Sequence, residues 1–138
     1  MLSTRDIQGI VVLGKKEFDR LHKVDCDFDL VNESTFWDVA KKSKLIQFEI
    51  SNHLSVKVGS LTIHGKKDIV LLSKDVLNQL GIDKEGVKAL VIHELYHVLN
   101  KKKVRNTFKC CVDSEDSVDS LFYEEFPELA KKFDSLRS

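Results

Sequence analysis

The stretch DKEGVKALVIHELYHVLNKKK, Asp83 to Lys103, decides how the rest of the chain is read. Its flanks are those of a helix. Asp83 suits an N-cap, Glu85 puts negative charge in the first turn, and Lys101, Lys102 and Lys103 put positive charge in the last. Between them Val87, Val91, Leu95, Val98 and Leu99 recur at helical spacing as a core-facing stripe. At its centre stands His93-Glu94-Leu95-Tyr96-His97. His93 and His97 are four apart, so both rings leave one side of the helix, one turn from each other. One helix can thereby offer two imidazoles to a single zinc ion, at Zn–N distances of roughly 2.0–2.1 Å.

Glu94 adds to this. Its helical neighbours at three and four positions are Leu90, Val91, His97 and Val98, none of them a Lys or Arg. A carboxylate in such an apolar run costs stability unless something cationic meets it. A zinc-bound water would meet it, and Glu94 would then serve as general base. The same residues also fit a buried helix whose histidines make hydrogen bonds and whose Glu94 reaches a cation from elsewhere.

The whole chain sets bounds. Its 138 residues suit one domain, 1–138, with a real core. A hydrophobic content of 42% and a charged content of 32% are those of a soluble globular protein. Acids and bases balance at 22 each, which argues against a nucleic-acid partner. The basic run Lys101–Arg105 reads as a solvated helix end. Asp6 precedes a short apolar run, Ile10–Leu13, too short for a secretory signal, and no stretch is apolar enough for a membrane span. Of three cysteines, Cys110 and Cys111 are adjacent and make a poor disulfide. A reducing cytoplasm is the expected location.

Along the chain, Ile7–Leu13 reads as a first strand closed by Gly14, and Lys15–Val24 as a short helix with Phe18 and Leu21 inward. His22 there is taken as a surface or rim histidine. Asp25–Leu30 alternates acids with less polar residues, as a strand edge or a loop; it lacks the glycine and closing Glu of a calcium loop. Ser34 or Thr35 caps a helix to about Lys44, with Phe36, Trp37 and Ala40 placed to pack. Ile46, Phe48 and Ile50, then Val56 and Val58, then Leu61 and Ile63 alternate as strands, with Gly59-Ser60 as a tight hairpin turn. Asp68–Leu72 is a further strand. Ser73 caps a short helix, Lys74–Leu80, ended by Gly81. The expected class is α+β, with a small, mostly antiparallel sheet before the His-bearing helix. An edge strand beside a metal site can hold an extended peptide; Val70–Leu72 and Leu61–His64 are the candidates.

No histidine follows His97, so a third ligand must be Asp, Glu or Cys. Asp113-Ser114-Glu115-Asp116-Ser117-Val118-Asp119 crowds four acids into seven residues. Ser114 suits an N-cap, which puts Glu115 and Asp119 on one helix face. The macrodipole accounts for acids at a helix start, but less well for Asp119. Glu115 is the favoured third ligand. Asp119 would accept a hydrogen bond from a ligating histidine and fix its tautomer. Cys110 or Cys111 as a zinc-capping thiolate is a lesser alternative.

His93-Glu-x-x-His97, 17 residues, then Glu115-x-x-Val-Asp119 resembles the gluzincin metallopeptidases. The form is similar to the membrane-bound heat-shock and prenyl-protein peptidases and to their soluble miniature relatives, the minigluzincins. The resemblance covers about Val87 to Phe122. It implies a zincin-like fold in which a glutamate helix follows the HExxH helix. It implies that His93, His97 and Glu115 bind zinc, that Glu94 is the general base and acid, and that Asp119 supports the site. The membrane-bound relatives usually carry Gly where Tyr96 stands. No residue stands out to stabilise an oxyanion; Tyr123 reads better as packing or surface. Phe126–Ser138 restarts as a helix at Pro127, with Leu129, Phe133 and Leu136 on one side. It is either a docked terminal helix or, as the miniature relatives suggest, a lid that keeps the enzyme latent.

The expected function is a zinc-dependent endopeptidase, a hydrolase acting on peptide or protein substrates. The alternatives are a non-catalytic zincin-like binding or regulatory module with structural zinc, and a metal-free interaction domain.

Overall fold

The computed structural model describes residues 1–42, 59–63, 66–104 and 115–137, apart from the side chains of residues 40, 42, 101–104, 115–118 and 137. Its elements in chain order are α1 (Thr4–Asp19), β1 (Cys26–Val31), α2 (Glu33–Lys42), β2 (Ser60–Ile63), β3 (Asp68–Ser73), α3 (Lys74–Gln79), α4 (Lys84–Val104), α5 (Glu115–Glu125) and α6 (Pro127–Arg137). The class is α+β.

The chain opens with a helix where a strand was expected. Ser3 and Asp6 form a reciprocal cap: the Asp6 amide donates to Ser3 Oγ at 3.1 Å and the Ser3 amide to Asp6 Oδ2 at 2.9 Å. From that cap Ile7, Gly14 and Phe18 fall on one buried face, while Val12 and Leu13 point to solvent. A four-residue apolar run has no period of its own, and the cap decides it. Gly14 lets α1 approach α4 closely, since a Cβ there would stand 3.2 Å from Val91 Cγ1. Lys88 of α4 and Glu17 of α1 join the two helices further along, at 2.7 Å.

The sheet is mixed, in the order β1-β3-β2. β1 runs parallel to β3 and β2 antiparallel to it, which corrects the expectation of a mostly antiparallel sheet among the described residues. The parallel pair is possible because α2 and the chain after it lie between β1 and β3 in sequence. Asp25–Leu30 therefore carries a strand, and Lys67 bridges Asp25 and Asp27 at 3.8 and 3.2 Å. Ser60 opens β2, with Gly59 before it in left-handed backbone at φ 90°. Central β3 excludes Val70–Leu72 as an edge; β2 lies at one end of the described sheet. The expected strands over Ile46–Ile50 and Val56–Val58 lie outside the described residues.

The period-two alternation divides the sheet faces. Leu61, Leu71 and the half-buried Ile63 and Ile69 meet Phe36, Trp37 and Val39 of α2. Phe28, Leu30, Val70 and Leu72 face the main core with α4. Asn32 caps α2, accepting from the Thr35 amide at 2.8 Å. Ser73 caps α3 by accepting from the Val76 amide at 3.3 Å, and Gly81 follows α3 at φ 67°.

α4 is the axis of the fold. Asp83 caps it, accepting from the Gly86 amide at 2.8 Å. The expectation was one apolar stripe, but α1, the sheet, α5 and α6 all pack against this helix. None of residues 89–96 exposes more than 1% of its surface. Full burial of each of Leu90, Val91, Ile92 and Leu95 contributes roughly 1.5–3 kcal/mol. The same burial takes two histidines and a carboxylate inside with the helix.

Candidate metal centre

His93, Glu94 and His97 are 0%, 1% and 3% exposed and sit mid-way along α4. One donor atom from each, two ring nitrogens and a carboxylate oxygen, lie within 4.8 Å of one another. The four-residue spacing sets the imidazoles 4.7 Å apart, centroid to centroid, at 87°. Such nitrogen and carboxylate donors fit a divalent ion that accepts mixed N and O ligands. Two of the buried ring atoms, His93 Nδ1 and His97 Nε2, make no hydrogen bond at the atom itself, although both side chains interact elsewhere.

His93 stands between two carboxylates. Its Nδ1 is 3.5 Å from Glu94 Oε1, and its Nε2 is 3.7 Å from Asp119 Oδ1 on α5. The second contact brings Asp119 beside a proposed ligand, at ion-pair rather than hydrogen-bond distance. On one face the ring stacks on Phe133 of α6, at 4.0 Å and 20°. The C-terminal helix is thus docked over this histidine, and Phe133 belongs to the main core.

Glu94 reaches the inner face of β2. Ser60 Oγ donates to its Oε1 at 3.1 Å, and Thr62 Oγ1 donates to its Oε2. Burial alone would raise the Glu94 carboxyl. The contact with His93, the charges of His97 and His93 and the Thr62 hydroxyl outweigh it and bring the carboxyl down to about 2. Glu94 is therefore an ionised carboxylate inside the core, held by hydroxyls and imidazoles.

The site gathers part of what the sequence nominated. His93, Glu94, His97 and Asp119 come together. Glu115 is the first residue of α5, but its side chain, like Asp113, Ser114, Cys110 and Cys111, lies outside the described residues. Tyr123 is 39% exposed. Ser60 and Thr62 escaped the sequence reading because Gly59-Ser60 looks like a turn. The signal was there: two hydroxyls alternate with Leu61 and Ile63, so they share the face of β2 opposite those apolar residues.

Tyr96, one position before His97, also packs on Phe122 and reaches the end of α5. Its hydroxyl donates to Glu125 Oε1 at 3.0 Å, and His22 Nε2 lies 2.6 Å from the same oxygen. Burial and then the Glu125 carboxylate push the phenol pKa up, so the hydroxyl stays a donor. His22, expected at the surface or a rim, is half-buried just after α1 and ties that end of the chain to α5. Elsewhere, a cleft of about 490 Å³ opens between α1 and β1, lined by Ile7, Val11, Phe28 and Leu30 among others. It shares no residue with the His93 group.

No protein-family model, curated protein or solved structure gives a significant match to the chain. No described helix is long and apolar enough to cross a membrane.

Proposed function

We propose that the chain is a zinc-dependent endopeptidase of the gluzincin kind, kept latent by its C-terminal helix. The observation that carries this reading is the buried His93–Glu94–His97 donor group, with the Glu94 carboxylate held by two hydroxyls. His93 and His97 would hold the ion, with Glu115 as the third protein ligand and Asp119 fixing the His93 ring. Zinc, when bound, polarises a scissile carbonyl and makes a water acidic near neutral pH. Glu94 takes that proton and passes it to the leaving amine. Its low proton affinity before metal binding keeps it in the basic form.

The burial supports the lid. Residues at most 3% exposed cannot meet a peptide, and Phe133 covers His93. Removing the chain after Phe126 opens that face. Two measurements test the reading: zinc content of the purified protein near one per chain, and peptide hydrolysis that rises on removal of α6 and disappears in Glu94→Ala with zinc retained. Full activity in Glu94→Ala overturns the mechanism.

The complete burial favours a second reading, a non-catalytic module whose metal is structural. On that reading the protein binds zinc and hydrolyses nothing with α6 present or absent.

A further inference from the structure

We propose that Ser60 and Thr62 are positioning residues that commit Glu94 to proton transfer by tethering its carboxylate to β2, away from metal ligation. The inference rests on the metallopeptidase reading and deepens it. Glu94 has two roles open to it. Its oxygen lies within 4.8 Å of both ring nitrogens of the donor group, close enough that a modest shift would make it a further ligand. A carboxylate that ligates is no longer a free base.

The sheet decides between these roles. Each carboxylate oxygen is claimed by a different hydroxyl, Oε1 by Ser60 and Oε2 by Thr62. Ser60 and Thr62 are two apart on one strand, so both hydroxyls leave the same face and their spacing is set by the pleat. Both are buried, at 0% and 9% exposed. Their partners across the ladder are Leu72 and Val70. Hydroxyls on so apolar a face are unfavourable unless they are hydrogen-bonded, and they bond the carboxylate. His93 Nδ1 already lies 3.5 Å from the carboxylate. Two further donors, one per oxygen, fix orientation as well as charge.

The test uses the full chain loaded with Co²⁺, whose visible absorption reports its ligand set. In the wild-type background Glu94→Gln should leave the cobalt spectrum unchanged, because Glu94 is not a ligand. Thr62→Val frees one carboxylate oxygen, Oε2, while Oε1 stays on Ser60. The spectrum should then shift and cobalt affinity rise by about 10-fold. Adding Glu94→Gln to Thr62→Val should reverse both changes, and Thr62→Ser, which keeps the hydroxyl, should behave as wild type. Ser60→Ala should give the same change in smaller measure, and it serves if Thr62→Val does not fold. In the activated protein, Thr62→Val should lower kcat by about 10²-fold with little change in KM.

A cobalt spectrum that moves in Glu94→Gln alone, or stays fixed in Thr62→Val and Ser60→Ala, overturns the inference while leaving the metal site standing. Wild-type protein that takes up no cobalt overturns the metallopeptidase reading, and the inference with it.

Discussion

Tyr96 donates a 3.0 Å hydrogen bond to Glu125, tying the central helix to the end of α5 at the oxygen that His22 also reaches. Tyr96 is 1% exposed, and its ring meets Phe18 edge-on at 4.9 Å. A glycine here would remove both contacts. Tyr96→Phe keeps the ring and deletes the hydrogen bond. It should cost about 1–2 kcal/mol, the range for a bond to a charged acceptor discounted for partial exposure. Equilibrium denaturation measures it; an unchanged midpoint would show the bond to be idle.

Phe133 closes the face of His93. Phe133→Ala should destabilise the fold by about 3–5 kcal/mol, as large-to-small changes of buried aromatics do. It should also open the histidine to solvent. Imidazole-directed acylation, followed by mass spectrometry, should label His93 faster in this variant at temperatures where it stays folded. Equal labelling rates would mean that Phe133 does not guard the ring.

Metal binding to the folded state alone raises its stability by mass action. Zinc at 1,000 times its dissociation constant should add about 4 kcal/mol, and a chelator should remove it. The comparison is thermal unfolding with saturating zinc and with chelator. Coincident melting curves are the outcome that denies a native metal site.

Asp83 carries a predictable pH dependence. The Gly86 amide first, and then Lys132 of α6 at 3.1 Å, hold its carboxyl below the ordinary 3.8. A carboxyl lowered on folding contributes stability that is complete above its unfolded value and lost as pH falls through the folded one. Asn caps a helix as well as Asp, so Asp83→Asn isolates the charge. Because the pair is solvent-screened, the variant should lose no more than about 1 kcal/mol at neutral pH. That gap should narrow as pH is taken below 3.8. Urea titrations at two pH values measure it, and a gap of constant size would assign the effect to something other than this carboxyl.

Some of this was legible in the chain. The α4 span needed only its cap, its apolar spacing and its terminal charges, all local features. The Ser73 cap and Gly81 marked α3 for the same reason. The strand expected at Ile7–Leu13 failed where a short apolar run carries no period, and the Ser3–Asp6 cap that resolves it is easily passed over. The parallel pairing of β1 with β3 could not be read, because strand direction depends on where the intervening chain travels and not on the strand residues.

The sequence alone determined that two imidazoles and a carboxylate share one helix, since a rise of 1.5 Å and a turn of 3.6 residues bring positions 93 and 97 together in any context. Tertiary structure decided what surrounds them. Ser60 and Thr62 are more than thirty positions from Glu94, and Phe133 is forty from His93. Contacts at such separations arise only when burial of unrelated apolar faces draws β2 and α6 against α4. The depth of the site, its hydroxyl tether and its aromatic cover are therefore properties of the packed molecule.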